Sequence, residues 1–230
     1  MIALRKSADR GYFDHGWLQS HHTFSFADYY DPQHVEFRAL RVMNEDVIAP
    51  GQGFGMHGHR DMEIVTLVLE GQLAHRDSLG NTKVLAPGEL QRMTAGTGIR
   101  HSEFNPSETE PVHLYQIWLY PERIGLTPSY EQRPLTLPED GWALAAAPPG
   151  AGGVLTIHQD ARIYVARLAA GKKLEHRLAP GRAAWLQTLR GGGRLEKFDL
   201  EAGDGAAITD QDLLSITATT DSEWLLFDLV

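Results

Sequence analysis

Two pairs of polar side chains in the first half of the chain have a spacing that suits metal binding. The stretch GFGMHGHRDMEIV, residues 53–65, contains His57 and His59, and the stretch GTGIRHSEFN, residues 96–105, contains His101 and Glu103. Residues i and i+2 of a β-strand project from the same face, so each pair presents its two side chains together. Three imidazoles and one carboxylate that meet in this way suit Fe(II), Ni, Mn, Cu or Zn.

The chemistry of such a site depends on how many coordination positions of the ion are not taken by protein ligands. Four protein ligands leave up to two positions of an octahedral ion for water, dioxygen or a substrate oxygen. A closed structural zinc site more usually carries thiolates, and this chain has no cysteine. Glu63 is a second candidate carboxylate. It would project from the same strand face as His57 and His59 if their strand continues unbroken to residue 63.

The alternative interpretation is that these histidines bind no metal. A His-x-His pair on a strand is more often solvated or hydrogen-bonded than metal-bound. The second pair and the glycines around both pairs favour metal binding, because glycine allows tight turns and close strand approach. Elsewhere, His75 is interpreted as a hydrogen-bonded strand residue and Trp118 as a core residue, whereas Phe54 either lines a cavity or packs between strands.

Short apolar runs separated by glycine and proline predict an all-β chain that positions these pairs. Short strands at this spacing are typical of a sandwich or barrel. No segment has a sustained helical period, so helices should be few and short. The predicted strands lie at about 38–48, 62–69, 72–76, 82–85, 90–93, 112–119, 153–158, 162–168, 184–189, 193–198, 205–208, 213–217 and 223–228.

A proline- and glycine-rich segment at 121–152 predicts a connection between two β-units. The predicted domains are 1–134, which would bind the metal, and 153–230, with a linker over 135–152.

An internal repeat supports this division, because residues 85–103 align with residues 200–218. In that alignment His101 falls on Ile216 and Glu103 falls on Ala218, so the second domain is expected to bind no metal.

Composition restricts the classes of partner. The formal net charge is −9, which argues against direct binding to nucleic acid or to an anionic membrane but leaves docking onto a protein partner open. No apolar run approaches the roughly 20 residues that span a bilayer. The first residues, MIALRKSADRG, are too polar for a secretory signal, so the sequence predicts a cytoplasmic protein. A barrel that closes its own sheet edges would leave a monomer.

Three segments resemble pirin-like proteins of the cupin superfamily: HGWLQSHHTFSFADYYDP (15–32), LRVMNEDVIAPGQGFGMHGHRDMEIVTLVLEG (40–71) and MTAGTGIRHSEFNPS (93–107). The resemblance covers most of residues 1–134 and the second half more loosely. It implies an all-β bicupin with two antiparallel cupin (jelly-roll) β-barrels and metal in the first alone. It also implies the metal ligands His57, His59, His101 and Glu103.

The chain departs from the family pattern at one position and leaves a choice at another. Pirins commonly have His-Pro-His, and Gly58 here would loosen the backbone between the two histidines. Ordinary cupins use the position of Glu63 as the carboxylate ligand, whereas pirins use that of Glu103. We therefore expect Glu103 to be the ligand and Glu63 to orient a histidine.

The resemblance implies quercetin 2,3-dioxygenase activity, in which O2 opens the ring of a flavonol and carbon monoxide is released. The cofactor would be one divalent transition metal, Fe(II) in the first place, with Ni, Cu, Mn, Co or Zn also compatible. Glu103 would act as the catalytic base for the 3-hydroxyl of the flavonol, and a dry apolar cavity would hold the flat substrate.

Two other functions fit the same residues. One is a metal-binding regulatory protein, a pirin-like transcription cofactor that docks onto a protein partner. The other is a cupin isomerase for a sugar or keto acid. An isomerase of this kind would need a basic cavity, and strand parity directs Arg60 and Arg100 away from the metal.

Overall fold

The computed structural model describes residues 1–230, which are almost entirely β-structure. A 3-10 helix at Ser7–Asp9 is the one helical element. The strands are β1 Ile2–Arg5, β2 Gly11–Asp14, β3 Leu18–His22, β4 Leu40–Ile48, β5 Gly53–His59, β6 Glu63–Glu70, β7 Leu73–Asp77, β8 Thr82–Leu85, β9 Glu89–Thr94, β10 Ile99–Phe104, β11 Val112–Leu119, β12 Ser129–Pro134, β13 Trp142–Ala147, β14 Leu155–Thr156, β15 Ala161–Leu168, β16 Lys173–Arg177, β17 Ala183–Arg190, β18 Gly192–Leu195, β19 Phe198–Glu201, β20 Gly205–Ile208, β21 Leu213–Ala218 and β22 Ser222–Leu229.

The chain forms two compact units. The first unit contains residues 11–135 and 149–159, and the second contains residues 1–10, 136–148 and 160–230. These units differ from the predicted domains 1–134 and 153–230 in two places. The N-terminal strand β1 pairs with β20 of the second unit, and part of the predicted 135–152 linker is β13, which pairs with β15. The apolar Ile2 and Leu4 pack against the core of the second unit, which explains the first difference.

The first unit has a large and a small antiparallel sheet. The large sheet has the order β12-β9-β6-β11-β4-β3-β2, and the small sheet has the order β5-β10-β7-β8. Strand β6 is buried over residues 63–69 and is rich in β-branched side chains, which suits a strand with neighbours on both sides. Strand β10 alternates buried Ile99, His101 and Glu103 with exposed Arg100 and Phe104. Separate sheets, not one continuous cylinder of hydrogen bonds, therefore enclose the interior.

The second unit repeats this topology. Its large sheet includes the order β1-β20-β17-β22-β15-β13, and its small sheet has the order β16-β21-β18-β19. Gly88 and Gly203, which the sequence alignment equates, have φ angles of 85° and 84°. Ile216 and Ala218 are 1% exposed and belong to an apolar core. The structure thus confirms the internal repeat, with apolar residues at two positions equivalent to His101 and Glu103.

No helix in the chain has the length and apolarity needed to cross a membrane.

Close approach of β5 to β10 depends on Gly53. A Cβ atom there would lie 2.2 Å from the carbonyl oxygen of Glu103 and 2.5 Å from the Cα of Phe104. We expect Gly53→Ala to separate the two strands and lower the free energy of unfolding by about 1–3 kcal/mol or more. Chemical denaturation measures this change.

Gly55→Ala is the matched control, because a Cβ at Gly55 has no atom within 4 Å. Equal unfolding free energies of the two variants would contradict the close-approach argument.

Candidate metal centre

Three histidines converge between β5 and β10. His57 and His59 project from β5, and His101 pairs with His57 across the two strands. The ring centroids lie 4.7 Å apart for His57 and His59, 4.5 Å for His57 and His101, and 4.9 Å for His59 and His101. The Nε2 atoms of His59 and His101 are 2.9 Å apart. Nitrogen ligands at about 2.0–2.1 Å from one ion have a similar mutual separation, so the arrangement fits a metal.

A local irregularity orients His57. The register between β10 and β5 shifts between His101 and Glu103, which pair with His57 and Phe54 respectively. The Nδ1 atom of His57 lies 2.8 Å from the carbonyl oxygen of Gly55. If Nδ1 carries the proton and donates a hydrogen bond to that oxygen, Nε2 stays free to bind a metal.

Burial and mutual repulsion keep two of the histidines neutral. Burial, followed by the charge of His57, lowers the pKa of His59 to about 4. Burial, followed by the charges of His57 and His59, lowers the pKa of His101 to about 2. Neutral imidazole is the form that binds metals, so these two histidines would need no deprotonation to bind an ion at neutral pH.

Glu103 lies beside this cluster in a fully enclosed position. It projects from the same face of β10 as His101, and it is 2% exposed. It accepts hydrogen bonds from the Nε2 atoms of Gln91, at 3.1 Å, and Gln116, at 2.9 Å. One carboxylate oxygen of Glu103 and one ring nitrogen from each of His101 and His75 lie within 4.8 Å of one another. Glu103 is not part of the group formed by the three converging histidines. Burial, followed by the charge of Asp46, raises the pKa of Glu103 to about 7.

Glu63 does not join the cluster. Strand β5 ends at His59 and β6 begins at Glu63, and Asp61 between them has a φ of 51°, so the parity assumed for an unbroken strand is lost. Glu63 is fully buried, accepts a hydrogen bond from Thr94 Oγ1 at 3.1 Å and lies 3.3 Å from His158 Nδ1. Glu63 was expected to orient a histidine, and the histidine that it contacts is His158, which is not one of the three converging histidines.

His75 is a residue whose position sequence reasoning missed. It is 1% exposed, and its Nε2 lies 3.1 Å from Asp77 Oδ2, which confirms the predicted hydrogen bond. Its ring also stacks on Tyr130, with centroids 4.7 Å apart, and lies 5.4 Å from the ring of His101. The available signal was the i, i+2 spacing of His75 and Asp77, which matches that of the two predicted pairs.

A polar row crosses the large sheet behind Glu103. It consists of side chains in register on four adjacent strands: Asn44, Gln116, Thr66 and Gln91. Thr66 Oγ1 lies 3.3 Å from both Gln116 Oε1 and Gln91 Nε2, so the two glutamines that hold Glu103 are linked. The equivalent row of the second unit is largely apolar: Tyr164, Leu226, Leu186 and Ala206. The row therefore accompanies the metal site and is not a requirement of the fold.

The histidines open onto a cavity of about 290 Å³. Trp118, predicted as a core residue, lines this cavity, and its ring lies 4.8 Å from that of His59 and 5.3 Å from that of Phe26. Phe54 also lines it and packs against an apolar cluster that includes Leu18, so both interpretations of Phe54 are confirmed. The lining residues are Phe26, Asn44, Asp46, Phe54, His57, His59, His101, Glu103, Gln116 and Trp118. Arg60 and Arg100 are absent from this lining and exposed, so the histidines are the only basic groups that the cavity offers an anionic substrate.

Comparisons with known proteins agree with this architecture. The family model described as Pirin matches residues 3–119, and one described as quercetinase C-terminal cupin domain matches residues 144–229. A protein named quercetin 2,3-dioxygenase from Escherichia coli (strain K12) is 51% identical over 229 residues, which cover 100% of this chain and 99% of that protein.

Two solved structures show the same fold. The crystal structure of YhhW from Escherichia coli has a TM-score of 0.97 and 51% identity, and the match covers 100% of this chain and 98% of that one. The structure described as bacterial pirin YhhW in complex with nickel(II) has a TM-score of 0.96 at the same identity, with 100% and 99% covered. The predicted bicupin fold and the predicted family are confirmed, and the chain belongs to the pirin family.

Proposed function

We propose that this protein is a metal-dependent quercetin 2,3-dioxygenase, an oxidoreductase that opens the ring of a flavonol with O2 and releases carbon monoxide. The observation that carries the proposal is the convergence of His57, His59 and His101 at the wall of the aromatic-lined cavity. The relative from Escherichia coli named for this activity supports it at 51% identity over the full chain.

His57, His59 and His101 would hold the ion, and we propose Glu103 as the fourth ligand. When bound, a divalent ion would supply a Lewis acid with positions open to a substrate oxygen and to dioxygen. Fe(II) is our proposal for the native metal. The nickel(II) complex of the relative shows that a closely similar protein also accepts nickel.

Glu103 is suited to take the proton of the flavonol 3-hydroxyl. A general base works best when its pKa is close to the working pH, and burial raises the pKa of Glu103 to about 7. Gln91 and Gln116 each donate a hydrogen bond to one oxygen of the carboxylate, which holds it in one orientation. Phe26, Phe54 and Trp118 provide apolar surfaces for a flat aromatic molecule.

The alternatives receive less support. An isomerase acting on an anionic substrate would need a basic group in the cavity, and none of the lining residues is basic apart from the histidines. No structural feature specifically favours a regulatory protein, and the relatives carry the name of an enzyme. A monomeric state and a cytoplasmic location stay predictions from the sequence.

The test is turnover of quercetin by protein loaded in turn with Fe(II), Ni(II), Cu(II) or Mn(II). We expect loss of flavonol absorbance and release of one carbon monoxide per flavonol with at least one metal, and no turnover with His59→Ala. Metal analysis of each preparation provides the control for loading. Absence of turnover with every metal, or unchanged turnover by His59→Ala, would contradict the proposal.

A further inference from the structure

A second cavity adjoins the metal cavity in the first unit. Its volume is about 300 Å³, and it is lined by His15, Trp17, Leu18, Ser20, His22, Phe26, Ala27, Asn44, Asp46 and Phe54. Phe26, Asn44, Asp46 and Phe54 line both cavities, so these four residues form a shared boundary. A molecule that reaches beyond the metal cavity would pass Asp46 and Asn44.

Asp46 is a buried carboxylate that the proposed chemistry does not use. It is 4% exposed on β4, and its oxygen Oδ1 accepts a hydrogen bond from Ser20 Oγ. The structure shows no other hydrogen bond to this carboxylate, so its Oδ2 atom has acceptor capacity left over. Burial raises the pKa of Asp46 to about 6, and above that pH the ionised carboxylate can only accept hydrogen bonds.

Asn44 lies two residues before Asp46 on the same strand, at one end of the polar row. It is 4% exposed, and its Oδ1 atom is buried without a hydrogen-bond partner. Buried polar atoms are rarely left unpaired, because each one costs stability. Unsatisfied acceptor capacity on two neighbouring side chains of a cavity indicates a ligand that brings donors.

We propose that Asp46 and Asn44 form an acceptor subsite that binds phenolic hydroxyl groups of the substrate other than the one at the metal. The subsite favours aromatic molecules with several hydroxyl groups over molecules whose single hydroxyl group is already bound at the metal. This inference rests on the proposed function for the identity of the substrate. The hydrogen-bond pattern of Asp46, Asn44 and Ser20 supports the subsite separately from any reaction.

The test compares quercetin with 3-hydroxyflavone, which lacks every hydroxyl except the one at position 3. Dissociation constants for the metal-loaded protein, kept free of O2, come from quenching of the fluorescence of Trp118 and the other tryptophans. We expect the unmodified protein to bind quercetin about 10- to 100-fold more tightly, the range of a hydrogen bond to a charged group. Galangin, which lacks hydroxyls on the B ring, identifies the ring that occupies the subsite.

Two variants test the residues. Asp46→Asn retains an acceptor for Ser20 but can present an amide donor to the cavity, and Asn44→Ala removes the other polar group. Each is expected to weaken quercetin binding by about 10-fold and to leave 3-hydroxyflavone binding within about 2-fold. Glu45→Gln is the matched control, because Glu45 is the adjacent carboxylate and contacts His113 at 2.9 Å instead of the cavity. Thermal unfolding verifies that each variant is folded.

The outcomes separate this inference from the proposed function. An unchanged preference for quercetin in both variants, or equal loss of both ligands, would overturn the subsite, and so would equal binding by the unmodified protein. If the preference depends on Asp46 and Asn44 but no flavonol is consumed in air, the subsite stands and the dioxygenase proposal fails. If both flavonols are consumed with equal kcat/KM, the dioxygenase proposal stands and the subsite fails.

Discussion

Protein in which His101 is replaced by alanine is expected to lose its metal and, with it, all flavonol turnover. His101 is the residue common to both groups of potential ligands, and it is 2% exposed. Residues that merely support a ligand change metal affinity by about 10- to 100-fold, so removal of a central ligand should exceed 100-fold. Isothermal titration with Ni(II) measures the affinity, and competition with a chelator extends its range.

Ser102→Ala is the matched control for His101→Ala. Ser102 follows His101 on β10 and projects from the opposite face, so its removal should leave metal binding unchanged. Circular dichroism of both variants reports whether the strands have formed. Binding of one metal per chain with normal affinity by folded His101→Ala protein would show that the three-histidine cluster is not the site.

Metal affinity is expected to depend on pH through Glu103 and not through the buried histidines. The metal-free carboxyl has a pKa of about 7, so below that pH the ion must displace a proton. His59 and His101, with pKa values of about 4 and 2, are already neutral there. The dissociation constant should therefore rise by up to about tenfold for each unit that the pH falls below 7, and it should level off above 8.

Competition titrations at pH 6, 7 and 8 test this dependence. Glu103→Gln should bind metal more weakly and should lose the part of the pH dependence that Glu103 contributes, because its amide does not titrate. Glu63→Gln, the variant at the alternative carboxylate, should retain it. A steep pH dependence that survives in Glu103→Gln and disappears in Glu63→Gln would reverse the assignment of the ligand.

The same pKa has a consequence for the stability of the metal-free protein. Between pH 4.5 and about 7 the folded state binds more protons at Glu103 than the unfolded state does, so stability falls as the pH rises through this interval. The total change at this residue is about 3 kcal/mol. Buried neutral histidines act in the opposite direction, because they destabilise the fold as the pH falls below 6.5.

Local spacing located the three histidines because the i, i+2 rule needs only extended backbone at each pair, although neither β5 nor β10 was among the predicted strands. The shared parity of Glu63, which required an unbroken strand, is lost, since the break after His59 depends on Asp61 at a φ of 51°, a conformation that the sequence does not reveal. His75 was located on a strand but not beside His101. That contact depends on which strands pair, and β7 meets β10 across more than twenty intervening residues.

The fold shows the same division between local and distant information. Alternating and continuous apolar runs predicted strands such as β6 and β11, whereas glycine-rich β5 and alanine-rich β13 lack the β-branched side chains that identify a strand. Asn44 and Asp46 were not recognised, because polar residues within a strand resemble a solvated edge until the opposite sheet is known. Pairing of β1 with β20 had no local signal at all.

That last pairing has a consequence for biosynthesis. Ile2 faces Ile208, so the two residues leave the ribosome roughly 10–40 s apart at about 5–20 residues per second. During this interval β1 has no partner strand, while the strands of the first unit can already assemble. A bulky affinity tag fused ahead of Met1 would extend this unpaired segment and hinder its late pairing with β20, whereas a tag placed after Val230 would leave that pairing undisturbed.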